Sequence, residues 1–161
     1  MPEFRSLEEL ANYFNKNQQN VLSNQNTLVV LEEETQKLAQ YIEEEIQNYL
    51  SSYVPTVYER TGNWLNSVKI SPIVQEGEYL TAIITFDERL ANHPSLFNGE
   101  EGYVPWLMEV GWHWSMDKPH RTYRLSDFEG IQYIRRAVER FNSENKYGIK
   151  VSVVHNGEIY I

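Results

Sequence analysis

Four histidines, His93, His113, His120 and His155, and a set of carboxylates are the residues here whose types could do chemistry. A metal centre would draw on His113, His120 and Asp117. No pair of histidines has the i, i+4 spacing of a helical zinc site, so the spacing argues against one. A hydrolytic or nucleolytic centre would use His120 and Arg121 with Glu109 and Tyr123. Such a centre needs a base beside the substrate and a second group that orients it, and linear spacing does not bring these four together. Glu100 and Glu101 are adjacent, and neighbours in a loop do not face each other across a sugar. Tyr103, Trp106, Trp112 and Trp114 could stack sugars or bases. The same residue types also close the edge of a core or anchor contacts between proteins. No glycine-rich loop precedes a helix with a Lys-Ser/Thr pair, so no phosphate cradle is expected. The expectation is no catalytic residue, no cofactor and no metal. The alternatives are a small hydrolase or nuclease on His120, Arg121 and Glu109, and a binding module whose aromatic loop grips a peptide.

The elements that must position these residues belong to one domain spanning 1–161. A chain of 161 residues, 41% hydrophobic and 13% aromatic, can bury one core. The absence of cysteine removes disulfides, thiolate metal sites and thiol catalysis. A net charge of -9, from 14 basic and 23 acidic residues, disfavours sequence-independent nucleic-acid binding and points to protein partners. No apolar run approaches the roughly 20 residues that cross a bilayer. Met1–Leu10 lacks the basic-then-apolar pattern of a signal peptide, so a cytosolic site of action is expected.

Residues 1–26 read as a helix over 6–15, capped by Ser6 with Glu9 three residues on, followed by a loop or weak helix in the Asn- and Gln-rich stretch 17–26. The core is 27–161. Leu31, Leu38, Ile42, Ile46, Tyr49 and Tyr53 predict a long helix over 28–53, ended by Pro55. A helical turn is expected around Trp64 and Leu65. Leu80, Ala82, Ile84 and Phe86 alternate with Thr81, Ile83, Thr85 and Asp87, which predicts an antiparallel hairpin with the strand at Val68–Ile70. Residues 88–101 read as a surface loop, and 103–110 as a short helix with Pro105 in its first turn. Ser126 or Asp127 would cap a last helix whose Phe128, Ile131, Ile134, Val138 and Phe141 form one stripe. Asn156-Gly157 predicts a closing hairpin. The fold class is α+β: a long N-terminal helix and a C-terminal helix packed on a small antiparallel sheet.

The run Arg60-Thr61-Gly62-Asn63-Trp64-Leu65-Asn66-Ser67-Val68 resembles the Arg/Lys-Thr-Gly-x-Leu-x-x-Ser-Ile/Val signature of the head–tail joining (neck) family of tailed phages, with one extra residue between Gly and Leu. In that family a long helix precedes the motif, a hairpin follows it, and a Tyr-rich segment ends in Glu-aromatic-Gly. Tyr103-Val104-Pro105-Trp106-Leu107-Met108-Glu109-Val110-Gly111 fills that place, with Val110 for the aromatic and Trp112 for a small residue. The resemblance spans about 28–154. It implies a structural virion protein, a ring homo-oligomer joining head connector and tail-tube or terminator proteins in a phage or phage-like particle assembled in the host cytoplasm. Its motif or interface residues would be Arg60, Thr61, Gly62, Leu65, Ser67, Tyr103, Trp106, Glu109, Gly111, Trp112 and Arg136. One pairing it suggests sets the acidic helix of one subunit against Arg135, Arg136 and Arg140 of the next.

Overall fold

The computed structural model describes residues 7–52, 54, 62–77, 79–94, 101–111 and 128–161, with side chains from Asn26 onward except those of Glu76, Pro94 and Glu101. A single helix, α1, runs from Leu7 to Ser51. The break expected at 17–26 is absent. Glutamine is a good helix former, asparagine costs only tenths of a kcal/mol, and neither glycine nor proline interrupts the run. Flanking turns propagate through it, because extending a formed helix is far easier than nucleating a new one. Its last turn closes with the Ser52 hydroxyl donating to the Tyr49 carbonyl at 2.6 Å.

A four-residue helix, α2 (Asn63–Asn66), leads into β1 (Val68–Ile70) and β2 (Val74–Glu76). The chain reverses at Gly77 and returns as β3 (Tyr79–Thr81) and β4 (Ile84–Phe86). β2 pairs with β3 and β1 with β4, both antiparallel, with Val68 opposite Phe86 and Glu76 opposite Tyr79. Ser71 N–H donates to Ile83 C=O at 2.8 Å across the gap, so the two ladders form one interrupted hairpin. Ile84 and Phe86 pack on the core while Ile83 is 48% exposed, as the alternation requires.

The segment read as a loop over 88–101 carries structure at both ends. α3 (Glu88–Ala91) is capped by the Asp87 carboxylate, which accepts from Arg89 N–H at 3.0 Å. β5 (Asn92–Pro94) pairs with β6 (Glu101–Tyr103). The short helix α4 covers Val104–Val110, with Pro105 in its first turn. The last helix, α5, spans Tyr133–Glu144 and so begins five residues after the expected Phe128. Gly130 at φ 73 and Gln132 at φ 52 are left-handed and cannot be helical, which moves the start downstream. Asn145 ends α5, its side-chain oxygen accepting the N–H of Tyr147 and of Ile149. β7 (Val154–His155) and β8 (Glu158–Ile159) then close around Asn156 and Gly157, both at positive φ. That is the primed turn that Asn-Gly favours.

The core is where α5 crosses α1. Leu38, Tyr41, Ile42 and Ile46 meet Ile134, Ala137, Val138 and Phe141, with Trp64 and Tyr133 at one end. Val68, Ile84, Phe86, Ile149, Val151 and Val153 pack around them. The fold is the expected α+β arrangement of two helices on small antiparallel sheets.

Charged residues lace the outer seam of the two helices. Arg136 pairs with Glu45 at 2.6 Å, Arg140 with Glu44 at 2.6 Å, and Lys37 with Glu144 at 2.8 Å. The Arg140 guanidinium also lies 3.7 Å over the Tyr41 ring. Of the arginines expected to pair between neighbouring subunits, Arg136 and Arg140 thus meet carboxylates of their own chain, while Arg135 lies over Tyr160. Arg140 holds the Glu44 carboxyl below its ordinary value of 4.5, and Lys37 does the same for Glu144. Depressed carboxyl values give stability that is present above the unfolded value and is lost as pH falls through the folded one. Replacing Arg140 by Gln should therefore destabilise the protein at neutral pH, and the gap to wild type should shrink as pH falls below about 4. A gap in urea-unfolding free energy that stays constant from neutral to acid pH would show that the pair contributes nothing titratable.

Candidate functional site

The residues singled out by the sequence meet at two places around the core. At the first, Gly62 takes φ 72, a left-handed conformation that glycine adopts without a Cβ penalty, and starts α2. Ser67 is fully buried, and its hydroxyl donates to the Trp64 carbonyl at 2.6 Å. Asp87 N–H donates to Ser67 C=O at 2.7 Å and so ties the turn to the end of the hairpin. Leu65 packs against the core. Trp64 stands edge-on to Tyr133 at 5.2 Å and to Tyr49 at 6.2 Å. Burial pushes the Tyr133 phenol far up, so it stays protonated. Arg60 and Thr61 lie outside the described residues. Replacing Ser67 by Ala should cost about 1 kcal/mol in urea unfolding, the net worth of one buried hydrogen bond. Ser67→Val should cost more, because its extra methyl enters a filled site.

The second place is the start of α5. Glu109 is 0% exposed, although it sits on a short helix near the surface. Its two oxygens accept the N–H of Ile134 at 2.7 Å and of Arg135 at 3.2 Å. These are first-turn amides of α5, and the Gln132 side chain makes no cap. A carboxylate borrowed from α4 thus satisfies donors the helix leaves open and sets a negative charge at its positive end. Burial pushes the Glu109 carboxyl up, outweighing the pull of those two amides toward the ionised form.

Backbone contacts surround this cap. Ile131 N–H donates to Met108 C=O at 2.8 Å and Gln132 N–H to Glu109 C=O at 3.2 Å. Gly111 ends α4 at φ 84, and a Cβ there would lie 2.0 Å from the Phe128 carbonyl oxygen. A Cβ on Gly130 would lie 2.5 Å from the Glu109 carbonyl oxygen. The Glu-x-Gly triplet therefore welds α4 to the 128–132 segment. Sequence reasoning named Glu109 and Gly111 but missed Gly130, Tyr133 and Trp64. The available hint was Gly130 itself, a poor residue for the interior of the helix expected there.

Beside the weld, the aromatic residues of α4 hold the closing hairpin. Trp106 stacks on His155 at 3.9 Å and meets Tyr160 edge-on at 5.0 Å. Tyr103 lies parallel to His155 at 6.3 Å, and the Arg135 guanidinium sits 5.1 Å over Tyr160. Trp106 and Tyr103 thus serve the edge of the core in this chain. Trp112, Trp114, His113, Asp117, His120, Arg121 and Tyr123 lie outside the described residues, as do Ser126 and Asp127.

An apolar groove of about 1440 Å³ opens between α1, the hairpin and the 147–155 segment. Leu31, Leu38, Leu80, Ile84, Val151 and Val153 are among its walls. Among the described residues, no three His, Cys, Asp or Glu gather as a metal site requires. No described helix is long and apolar enough to cross a membrane. No family model, curated protein or solved structure matches the chain.

Proposed function

We propose that this chain is a structural subunit of the neck or tail end of a tailed phage or phage-like particle, assembled in the host cytoplasm. Its subunits form a ring that touches head connector and tail-tube or terminator proteins. The observation that carries the reading is Glu109. Both oxygens of this buried carboxylate accept backbone amides of α5, and the residue has no exposed surface, which is a building role. Gly62, Ser67 and Gly111, the other described motif residues with a strict chemistry, serve the backbone in the same way. The element order supports it too: a long helix, a glycine turn closed by serine, a hairpin, a Glu-x-Gly helix, then a last helix and a closing hairpin. A ring needs two different patches per subunit. Tyr79 at 77% and Ile159 at 74% exposure are apolar residues at the ends of the two hairpins that could supply them.

The test is to label the chain in purified particles with a specific antibody and view them by electron microscopy, alongside native mass spectrometry of the isolated protein. Label at the head–tail junction and a ring of fixed copy number are the expected results. Particles that carry no label, with a chain that stays single in solution, would overturn the proposal.

A further inference from the structure

About 28 residues of α1 precede Thr35, its first buried residue among the described side chains, and at 1.5 Å rise they make about 42 Å of helix. The sequence of this stretch carries a heptad seam. Leu7, Phe14, Val21 and Leu28 recur every seventh residue, and Leu10, Asn17, Asn24 and Leu31 recur three residues after each. The same seam continues as Thr35, Leu38 and Ile42, where the body covers it: Thr35 is 8%, Leu38 9% and Ile42 5% exposed. Leu28, one heptad before Thr35, is already 38% exposed.

The geometry points to a second copy of this chain as the occupant, in a parallel, in-register coiled coil formed by residues 7–31. These 25 residues, three and a half heptads, suffice for such a pairing. Asn17 and Asn24 choose the partner. In a parallel homomeric pair each meets its own counterpart and finds a hydrogen-bonding group, whereas an apolar partner helix would leave both buried and unsatisfied. Charge agrees. The flanking positions Ala11, Tyr13, Gln18, Asn20, Gln25 and Thr27 are all uncharged, although the chain carries a net charge of -9. Two copies can therefore meet along this stretch without the like-charge repulsion that the acid-rich second half of α1 would impose. The five apolar seam residues from Leu7 to Leu28 would bury roughly 300–600 Å² per helix before the Asn and Gln stems are added, against about 800 Å² per partner in a standard interface. Self-association of modest strength follows. This contact is symmetric about a two-fold axis and distinct from the two-patch contact of a ring, so it stands or falls apart from the neck reading.

Because the chain has no cysteine, one substitution reads the register directly. Val21→Cys in the full-length protein, oxidised in air, should run as a disulfide-linked dimer, while Ser23→Cys, two residues off the seam, should not. Phe14→Asp should lower the sedimenting mass and leave the circular dichroism of the body in place. Equal cross-linking of Val21→Cys and Ser23→Cys would overturn the proposal, and so would a wild-type chain that sediments as a monomer at high concentration. Rings that persist in Phe14→Asp would leave the neck reading untouched.

Discussion

Gly111→Ala is expected to lose the cooperative fold. The new methyl would lie 2.0 Å from the Phe128 carbonyl oxygen, 2.5 Å from the Gly130 nitrogen and 2.6 Å from the Glu129 carbonyl carbon. All three are backbone atoms, so no side chain can swing aside. Gly111 also sits at φ 84 and ψ -169, a region that is essentially glycine's alone and costs on the order of 1–3 kcal/mol for other residues. Relief requires the 128–132 segment to peel from α4, which would carry the start of α5 away from the Glu109 carboxylate. The combined cost is expected to exceed about 4 kcal/mol, a large part of the roughly 5–15 kcal/mol that holds a domain together. Soluble yield and thermal unfolding by circular dichroism would show it. Gly77→Ala is the control: its φ is 64, but nothing lies within 4 Å of an added Cβ, so only backbone strain of about 1 kcal/mol is expected. Equal melting points for the two variants would mean that the weld between α4 and 128–132 does not exist.

The second large effect belongs to Glu109. Truncation to Ala removes both acceptors and leaves the N–H groups of Ile134 and Arg135 buried without partners, at an expected cost of about 3–5 kcal/mol. For a domain of this size that lowers the melting point by roughly 10 °C. Glu109→Gln keeps the shape but sets an NH2, which cannot accept, against one of the two amides, whereas both oxygens of the carboxyl accept even when it is protonated, so about 1–3 kcal/mol is lost. The pH dependence separates charge from shape. The folded carboxyl value is raised above the ordinary 4.5 by burial. The folded state thus holds its proton more tightly than the unfolded chain, so this contribution to stability is complete below the unfolded value. It fades as pH rises through the raised folded value. Glutamine has no such dependence. The stability advantage of wild type over Glu109→Gln should therefore be widest near pH 4 and narrow toward neutrality. An advantage that widens with rising pH would mean that the amides, and not burial, dominate this carboxyl.

The sign is opposite to that of the outer ion pairs. Glu44, Glu144 and Asp87 all have depressed carboxyl values, through Arg140, Lys37 and Lys69 in turn. Acid should lower stability by discharging these three, while Glu109 works against the loss.

Much of this architecture could be read before the structure. The hairpin over 68–86, the closing turn at Asn156-Gly157, the Pro105 helix and the apolar stripe of the last helix all rest on periodicity or turn chemistry, which act over a few neighbouring residues and are written locally. The serine closure at Ser67 is equally local, spanning three residues. The break expected at 17–26 is absent because asparagine and glutamine, unlike glycine and proline, do not stop a helix. What only the tertiary structure decided involves partners far apart in sequence. The last helix starts at Tyr133 because its cap comes from Glu109, 25 residues upstream of the Ile134 amide it satisfies. Arg136 and Arg140 answer to Glu45 and Glu44, 91 and 96 residues away, so no local pattern says whether they face their own chain or another. Gly111 is needed because two backbones touch there, and a touch between distant segments leaves no period in the sequence.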